Sequence, residues 1–237
     1  MSLTILIPSK NEQKVIFKTI KNIIKSNISS IDYEIVVIND FSTDNTIQLF
    51  KKYKNNKKIK LINNIKPGLG SALKVGIEKS SKEYICIFMA DQSDSISDMM
   101  RYYKIISKTN YDAVFGSRFI KGSKLKKYPF KKLFFNRIFN NMCKLFFLNK
   151  FNDFTNAFKI YRKNVLLSFF PIVSENFNVF LELPLKTVSR NFTFKIIPIS
   201  WKNRTRGNSK FIIKELTSKY FFTFFYCLLE KILLKKK

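Results

Sequence analysis

The chain is expected to fold as an α/β domain built on a mostly parallel, Rossmann-like sheet with helices on both faces. Three observations predict it. Apolar runs of strand length alternate with segments of helical period, each strand ends in polar or turn-forming residues, and 237 residues suit one large core better than two.

Residues 3–7 form the first strand, a nearly continuous apolar run of the kind buried on both faces. Residues 12–25 carry a helical repeat, with Val15, Ile16, Ile20, Ile23 and Ile24 facing inward. A second strand over 34–38 is followed by a helix over 43–53, and a short third strand over 59–62 leads into Pro67-Gly68-Leu69-Gly70 and a helix through residue 80. Strand 84–88, helix 97–107 and strand 112–115 continue the alternation. The strand ends read Pro8-Ser9-Lys10-Asn11, Asn39-Asp40-Phe41-Ser42, Asn63-Asn64, Met89-Ala90-Asp91-Gln92-Ser93-Asp94 and Gly116-Ser117-Arg118. In a parallel sheet all of these loops converge on one edge, where open α/β sheets bind ligands.

Composition narrows the chemistry at that edge. Lys and Arg number 44 against 16 Asp and Glu, a formal net charge of +28, which implies an anionic partner: nucleic acid, an acidic membrane surface or a phosphorylated substrate. The many lysines mixed with Asn, Ile and Phe also fit a nucleotide bias of the gene. The chain has no histidine, which excludes Ser-His-Asp and Cys-His catalysis and leaves carboxylates, Lys or Tyr as general bases. Cys86, Cys143 and Cys227 are isolated, lack CxxC spacing and fit a reducing compartment. The first residues lack a basic leader, and their apolar run is too short for a signal peptide.

In so basic a chain the acidic island at 91–94 stands out. Carboxylates at the end of a buried strand suit a hard divalent cation such as Mg²⁺ or Mn²⁺, while an Asp-Ser-rich turn that caps the next helix is the plain alternative. Gly68 and Gly70 permit close backbone approach, although the segment is neither a Walker loop nor GxGxxG.

Taken in order, these segments resemble family-2 glycosyltransferases of the GT-A (nucleotide-diphospho-sugar transferase) fold, particularly the dolichol-phosphate mannosyltransferase-like, polyprenyl-phosphate glycosyltransferase branch. Ile7-Pro8-Ser9-Lys10-Asn11-Glu12 is similar to "IPxxNE", and the stretch from Ile38 through Asn39-Asp40-Phe41-Ser42 to Thr46 is similar to "VDDGSTDGT". Gly68-Leu69-Gly70-Ser71-Ala72 resembles "GLGxA", Gly116-Ser117-Arg118 matches "GSR", and Asp153-Phe154-Thr155-Asn156-Ala157-Phe158-Lys159 resembles "DxTSGFR". Pro198, Trp201, Arg204 and Gly207-Asn208-Ser209-Lys210 resemble the closing "P…R…GxSK". The chain departs from the pattern at the DxD triplet, which stands as Met89-Ala90-Asp91, and at Asn39, Phe41 and Ala157.

The resemblance implies that Pro8, Glu12 and Asp40 hold the nucleobase and ribose and that Gly70, Gln92, Ser93 and Ser209 are further substrate contacts. It places Asp91 on a Mg²⁺ or Mn²⁺ ion bridging the diphosphate; Asp94 stands just beyond, able to supply the ligand missing at Met89. It places Arg118, Arg204 and Lys210 on phosphates, where cations stabilise attacking and leaving oxygens. Together with Asp91 these are the expected catalytic residues.

Residues 1–210 are expected to form the transferase domain and 211–237 a hydrophobic, lysine-ended, membrane-associating segment. Its apolar run from Tyr220 to Leu229 is shorter than the ~20 residues of a spanning helix, so an amphipathic interfacial helix fits better. A helical hairpin partner or a tilted span that includes residues 211–213 is the alternative. The Phe-rich stretch 130–147, preceded by basic residues, reads either as a second membrane-surface element or as a core helix.

The expected activity is inverting, metal-dependent transfer of a hexose-type sugar from a nucleoside diphosphate sugar to a polyprenyl phosphate at the cytoplasmic face of the membrane, with no nucleic acid partner. A family-2 transferase with a sugar hydroxyl acceptor is the second reading, with Asp153 or Glu182 as its base. A basic nucleic-acid-binding α/β protein is the third.

Overall fold

The computed structural model describes residues 1–126, 128–203 and 213–234. In chain order the elements are β1 (Ser2–Ser9), α1 (Ile16–Lys25), β2 (Asp32–Asn39), α2 (Thr46–Leu49), β3 (Ile59–Asn63), α3 (Leu69–Lys79), β4 (Tyr84–Ile87), α4 (Ile96–Lys108) and β5 (Ala113–Ser117). They continue with β6 (Lys124–Lys126), α5 (Phe130–Phe146), β7 (Lys159–Arg162), α6 (Lys163–Ser168), α7 (Val179–Ser189), β8 (Phe194–Pro198), β9 (Ser200–Lys202) and α8 (Ile213–Leu234).

Seven strands form one sheet in the order β3-β2-β1-β4-β7-β5-β8, and β6 and β9 form a separate two-stranded ribbon. Pairing is parallel except where β7 runs against both of its neighbours. Strand alternation divides the core. Leu3, Ile5 and Ile7 point into a layer with Ile16, Ile20 and Tyr102, whereas Leu6, Val36 and Ile38 point into one with Leu73, Phe154 and Phe224. The reversal of β7 places its beginning at the edge where the parallel strands end, and so delivers residues 153–157 to that edge.

Two expected helices are shorter than their apolar period suggests. The first starts at Ile16, because Glu12 N–H and Gln13 N–H donate to Thr46 Oγ1 (3.1 Å) and Asp44 Oδ2 (3.1 Å) in the next loop. Asn11, at φ +51°, turns the chain away from helical geometry just before them. Ile24, expected inside, is exposed at the surface. The second reaches only from Thr46 to Leu49 before a 3₁₀ turn over Phe50–Tyr53, since Thr43 N–H and Asn45 N–H donate to Asn11 Oδ1 and Gln13 Oε1. Both losses have one cause: the two loops are hydrogen-bonded to each other instead of extending their helices.

Of the stretch 130–147, residues Phe130–Phe146 form helix α5, and the C-terminal segment carries helix α8. Phe224 and Cys227 of α8 are buried in the same core layer as Phe147 of the α5 region. No helix among the described residues is long and apolar enough to cross a membrane.

Candidate active site

A cavity of about 950 Å³ opens at the edge where the strand ends meet. Pro8, Glu12, Asp40, Asp91, Ser93, Asp94 and Arg118, all expected at the site, line it. Arg204, Ser209 and Lys210 lie outside the described residues.

At one end, Asp40 follows β2 and is held by one of its oxygens. Oδ1 accepts Asn64 Nδ2 (2.8 Å) and Gly68 N–H (2.8 Å), while Asn64 also donates to the Lys66 carbonyl (2.5 Å) and, at 3.2 Å, the Gly68 carbonyl. Ser9, which sequence reasoning passed over, lines the same end with its hydroxyl buried and unpartnered among the described residues. Gly68 lies at φ +134°, and a Cβ there would stand 2.5 Å from the Glu175 carbonyl oxygen. The expectation for Gly70 needs correcting. Its N–H donates to Glu175 O (2.9 Å), and a Cβ would meet Ser174 O at 1.9 Å, so this glycine admits the 174–175 backbone rather than lining the cavity.

The acidic island forms the middle of the cavity. Ser95, not either aspartate, caps α4 by accepting Asp98 N–H (3.3 Å), which removes the capping alternative for Asp91 and Asp94. Asp91 Oδ1 accepts Ser93 N–H (3.0 Å) across a turn in which Gln92 sits at φ +62°. Asp94 Oδ2 accepts Met89 N–H (3.0 Å). Burial pushes the Asp94 carboxyl up to about 7, with the Asp91 charge adding to the rise and the Met89 N–H and Arg118 opposing it. A carboxylate so desolvated beside another is a place for added positive charge. Two hard oxygen ligands are also what Mg²⁺ takes from protein when substrate phosphates complete its shell, so Asp91 and Asp94 fit such an ion. Gln92 departs from expectation: it borders a smaller side cavity of about 280 Å³ with Lys124, Lys126 and Lys202.

Arg118 closes the far side. It is buried with Asp153, to which it donates from its backbone N–H, Nε and NH2. Its guanidinium carbon lies 5.4 Å from the Tyr128 ring centroid and 5.8 Å from that of Trp201. The turn that brings Asp153 is fixed from behind by Lys159, which is buried and donates to the Phe154 carbonyl (3.1 Å) and to that of Asn156. Burial pulls the Lys159 ammonium down to about 7, against the pull of Asp153.

Beyond Arg118 the wall turns apolar and aromatic. Phe135, Ile138, Phe139 and Met142 of α5, Tyr220 and Phe221 of α8, and Phe177 and Phe180 line this part of the cavity. The Phe139 ring meets those of Tyr220 and Phe221 edge-on at 5.7 and 5.9 Å. Neither carboxylate considered as a base for a hydroxyl acceptor is free. Asp153 is bound by Arg118, and Glu182 is buried, paired with Lys186 (2.9 Å) and holding Val173 and Ser174 N–H.

The model of the family described as Glycosyl transferase family 2 matches residues 4–170. A dolichol-phosphate mannosyltransferase of Pyrococcus furiosus is 28% identical over 131 residues, which are 55% of this chain and 37% of that protein. The poly(ribitol-phosphate) beta-N-acetylglucosaminyltransferase TarS of Staphylococcus aureus is 27% identical over 93 residues, 38% of this chain and 16% of TarS. The chain thus matches well under half the length of these curated relatives. Glucosyl-3-phosphoglycerate synthase of Mycobacterium tuberculosis, solved in complex with Mn²⁺, UDP and glucosyl-3-phosphoglycerate, superposes with a TM-score of 0.73 at 13% identity, covering 96% of this chain and 80% of that one. At that identity the likeness is one of fold.

Proposed function

Because this chain belongs to glycosyl transferase family 2, we propose that it moves a hexose-type sugar from a nucleoside diphosphate to a polyprenyl phosphate at the cytoplasmic membrane surface. The observation that carries the acceptor is the two-natured cavity. It runs without interruption from the carboxylates Asp91 and Asp94, past Arg118, to the aromatic wall between α5 and α8. An acceptor with a phosphate head and a hydrocarbon tail matches that sequence of surfaces. The Pyrococcus relative, named for dolichol phosphate, supports the same choice.

In this reading Asp40 and Glu12 hold the nucleoside, and Asp91 and Asp94 hold the Mg²⁺ or Mn²⁺. The ion, when bound, neutralises charge developing on the departing diphosphate. An acceptor phosphate oxygen forms the new bond to the anomeric carbon from the side opposite the leaving group, and the sugar–diphosphate bond breaks with inversion. That oxygen is already anionic at neutral pH, so the absence of histidine and the engagement of Asp153 and Glu182 cost the reaction nothing. Arg118, held flat by Asp153, lines the passage with a positive edge.

Membrane contact is supported by the outer faces of the same two helices. Phe130, Phe134, Phe135 and Ile138 on α5, and Phe222, Phe225, Leu229 and Leu233 on α8, are exposed large apolar side chains. Phe135 and Ile138 belong to both the exposed face and the cavity wall, so the cavity mouth opens onto that face.

The test is incubation with radiolabelled nucleotide sugars, polyprenyl phosphate and Mg²⁺ or Mn²⁺, with label counted in the organic phase. Label appearing only on a water-soluble sugar acceptor would sink the lipid reading.

A further inference from the structure

The ribbon of β6 and β9 has two unlike faces. Its strands pair in parallel, with Lys124 opposite Ser200, Leu125 opposite Trp201 and Lys126 opposite Lys202. Side chains alternate along a strand, so Leu125 and Trp201 share one face while the three lysines and Ser200 share the other. Trp201 is on the inner side, lining the active-site cavity near Arg118. The lysine face borders the separate side cavity of about 280 Å³, which it lines together with the turn that carries Asp94.

That face is unfavourable by itself. Lys126 and Lys202 put like charges at directly opposed positions, which works against strand pairing. The ribbon has three residues in each strand and no third strand to support it. All three lysines are exposed, and none pairs with a carboxylate among the described residues. Asp94 is the only acid among the described residues that line the side cavity, and its Oδ2 accepts Met89 N–H. An ammonium on a flexible stem meets phosphate as a mobile point charge with three donors. A phosphate between the lysines replaces their mutual repulsion by attraction to a common centre.

We propose that the lysine face of the β6/β9 ribbon is an anion site outside the active-site cavity, where Lys124, Lys126 and Lys202 hold a phosphate group and Ser200 adds a hydroxyl donor. The two cavities share Ser93, Asp94 and Trp201 as a common wall. Lys202 N–H donates to the Ser93 carbonyl (3.3 Å), so the ribbon is pinned to the turn between Asp91 and Asp94. The phosphate has two sources, a free phosphate ester or a lipid headgroup, since Lys126 stands four residues before Phe130, the first exposed ring of α5. The site stands or falls independently of the nucleotide-sugar reading.

The experiment compares the native full chain with a triple variant, Lys124→Gln, Lys126→Gln and Lys202→Gln, which removes the charges and keeps the stems. A control variant replaces Lys18, Lys21 and Lys25, exposed on α1, by Gln and so loses the same charge elsewhere. Inorganic phosphate is titrated calorimetrically at an ionic strength held constant with chloride, and phosphatidylcholine vesicles with and without phosphatidic acid are co-sedimented. The native and control proteins should bind inorganic phosphate, or phosphatidic acid beyond phosphatidylcholine alone. The triple variant should bind that probe at least about tenfold more weakly, the scale of three exposed charge contacts. Loss confined to inorganic phosphate assigns a free phosphate ester, loss confined to vesicles assigns a headgroup, and loss of both shows that the site takes either. Binding of the triple variant equal to that of the native protein places the phosphate elsewhere and overturns the inference, as does an equal loss in the control. A native protein that binds neither probe overturns it without any variant.

Discussion

Arg118 and Asp153 are 35 positions apart in sequence, yet the carboxylate of one takes three N–H groups of the other: backbone N–H and Nε on Oδ2, both at 2.9 Å, and NH2 on Oδ1 at 2.7 Å. Both side chains are buried, Asp153 completely. Removing one member of such a pair strands a charge in a desolvated place, so Asp153→Ala should lower stability by about 3–5 kcal/mol. Urea unfolding followed by circular dichroism measures it. A loss below about 1 kcal/mol would mean that solvent reaches Arg118 and that the pairing is weak.

Asp94 gives the protein a pH dependence with a definite sign. Its folded value of about 7 lies above the ordinary 3.8, so between those limits the native state keeps a proton that the unfolded chain has released. The stabilising contribution is complete below the lower limit and is lost as pH rises through the upper one. Relative to Asp94→Asn, the native protein should therefore lose stability from about pH 4 to 7 and show no further change above. Mn²⁺ affinity should run the opposite way, rising up to about pH 7 with proton release on binding. Calorimetry in two buffers of different ionisation heat detects that release. Metal affinity independent of pH between 5 and 8 would remove Asp94 from the ligand set.

Much of the fold was legible because parallel strands buried on both faces leave continuous apolar runs, as in Ile35-Val36-Val37-Ile38. The stretch Lys159-Ile160-Tyr161-Arg162 hid its nature as a central strand: it is four residues long, begins and ends with a cation, and runs against its neighbours. The burial of Lys159 and Glu182 was hidden, since nothing in their local sequence tells that carbonyls and a lysine four positions on will satisfy them in the interior. At the site, Asp91 and Asp94 were visible because acid is scarce in this chain. The engagement of Arg118 was not, since its partner comes from a turn delivered by the antiparallel strand. Asn64 was visible only as a strand-end turn residue, though a second amide beside Asp40 was a signal that the carboxylate would be held.

Phe41 occupies φ +53°, a left-handed conformation that a bulky side chain enters only at a cost, and its ring is nearly half exposed. Asn tolerates that region without the extra backbone entropy of glycine, so Phe41→Asn should raise stability by about 0.5–1 kcal/mol. Phe41→Val, branched at Cβ, should lower it by about 1 kcal/mol or more. Thermal melts of the pair give the comparison, and equal melting temperatures would show that the turn relaxes.

The exposed face of α8 should partition to lipid. Replacing Phe222, Phe225 and Leu229 together by Ser removes three large apolar groups and should weaken co-sedimentation with phosphatidylglycerol vesicles by on the order of a hundredfold. With so basic a chain, part of the binding should also fall with added salt. Equal sedimentation of native and triple-Ser proteins at high salt would rule out an apolar contact.

The loop at 174–178 ties together regions that the cavity keeps apart. Asn178 Nδ2 and Ser174 Oγ meet Thr223 Oγ1 of α8 at 2.8 and 3.2 Å, while on the other side of the loop the Glu175 carbonyl takes Gly70 N–H at 2.9 Å. In the proposed reading, the helix that lies on the bilayer is thereby latched to the turn that braces the nucleoside. On that proposal the distance from the lipid plane to the reacting sugar would be a fixed length of the protein, and the enzyme would work like a gauge: only an acceptor phosphate presented at that height would reach the anomeric carbon.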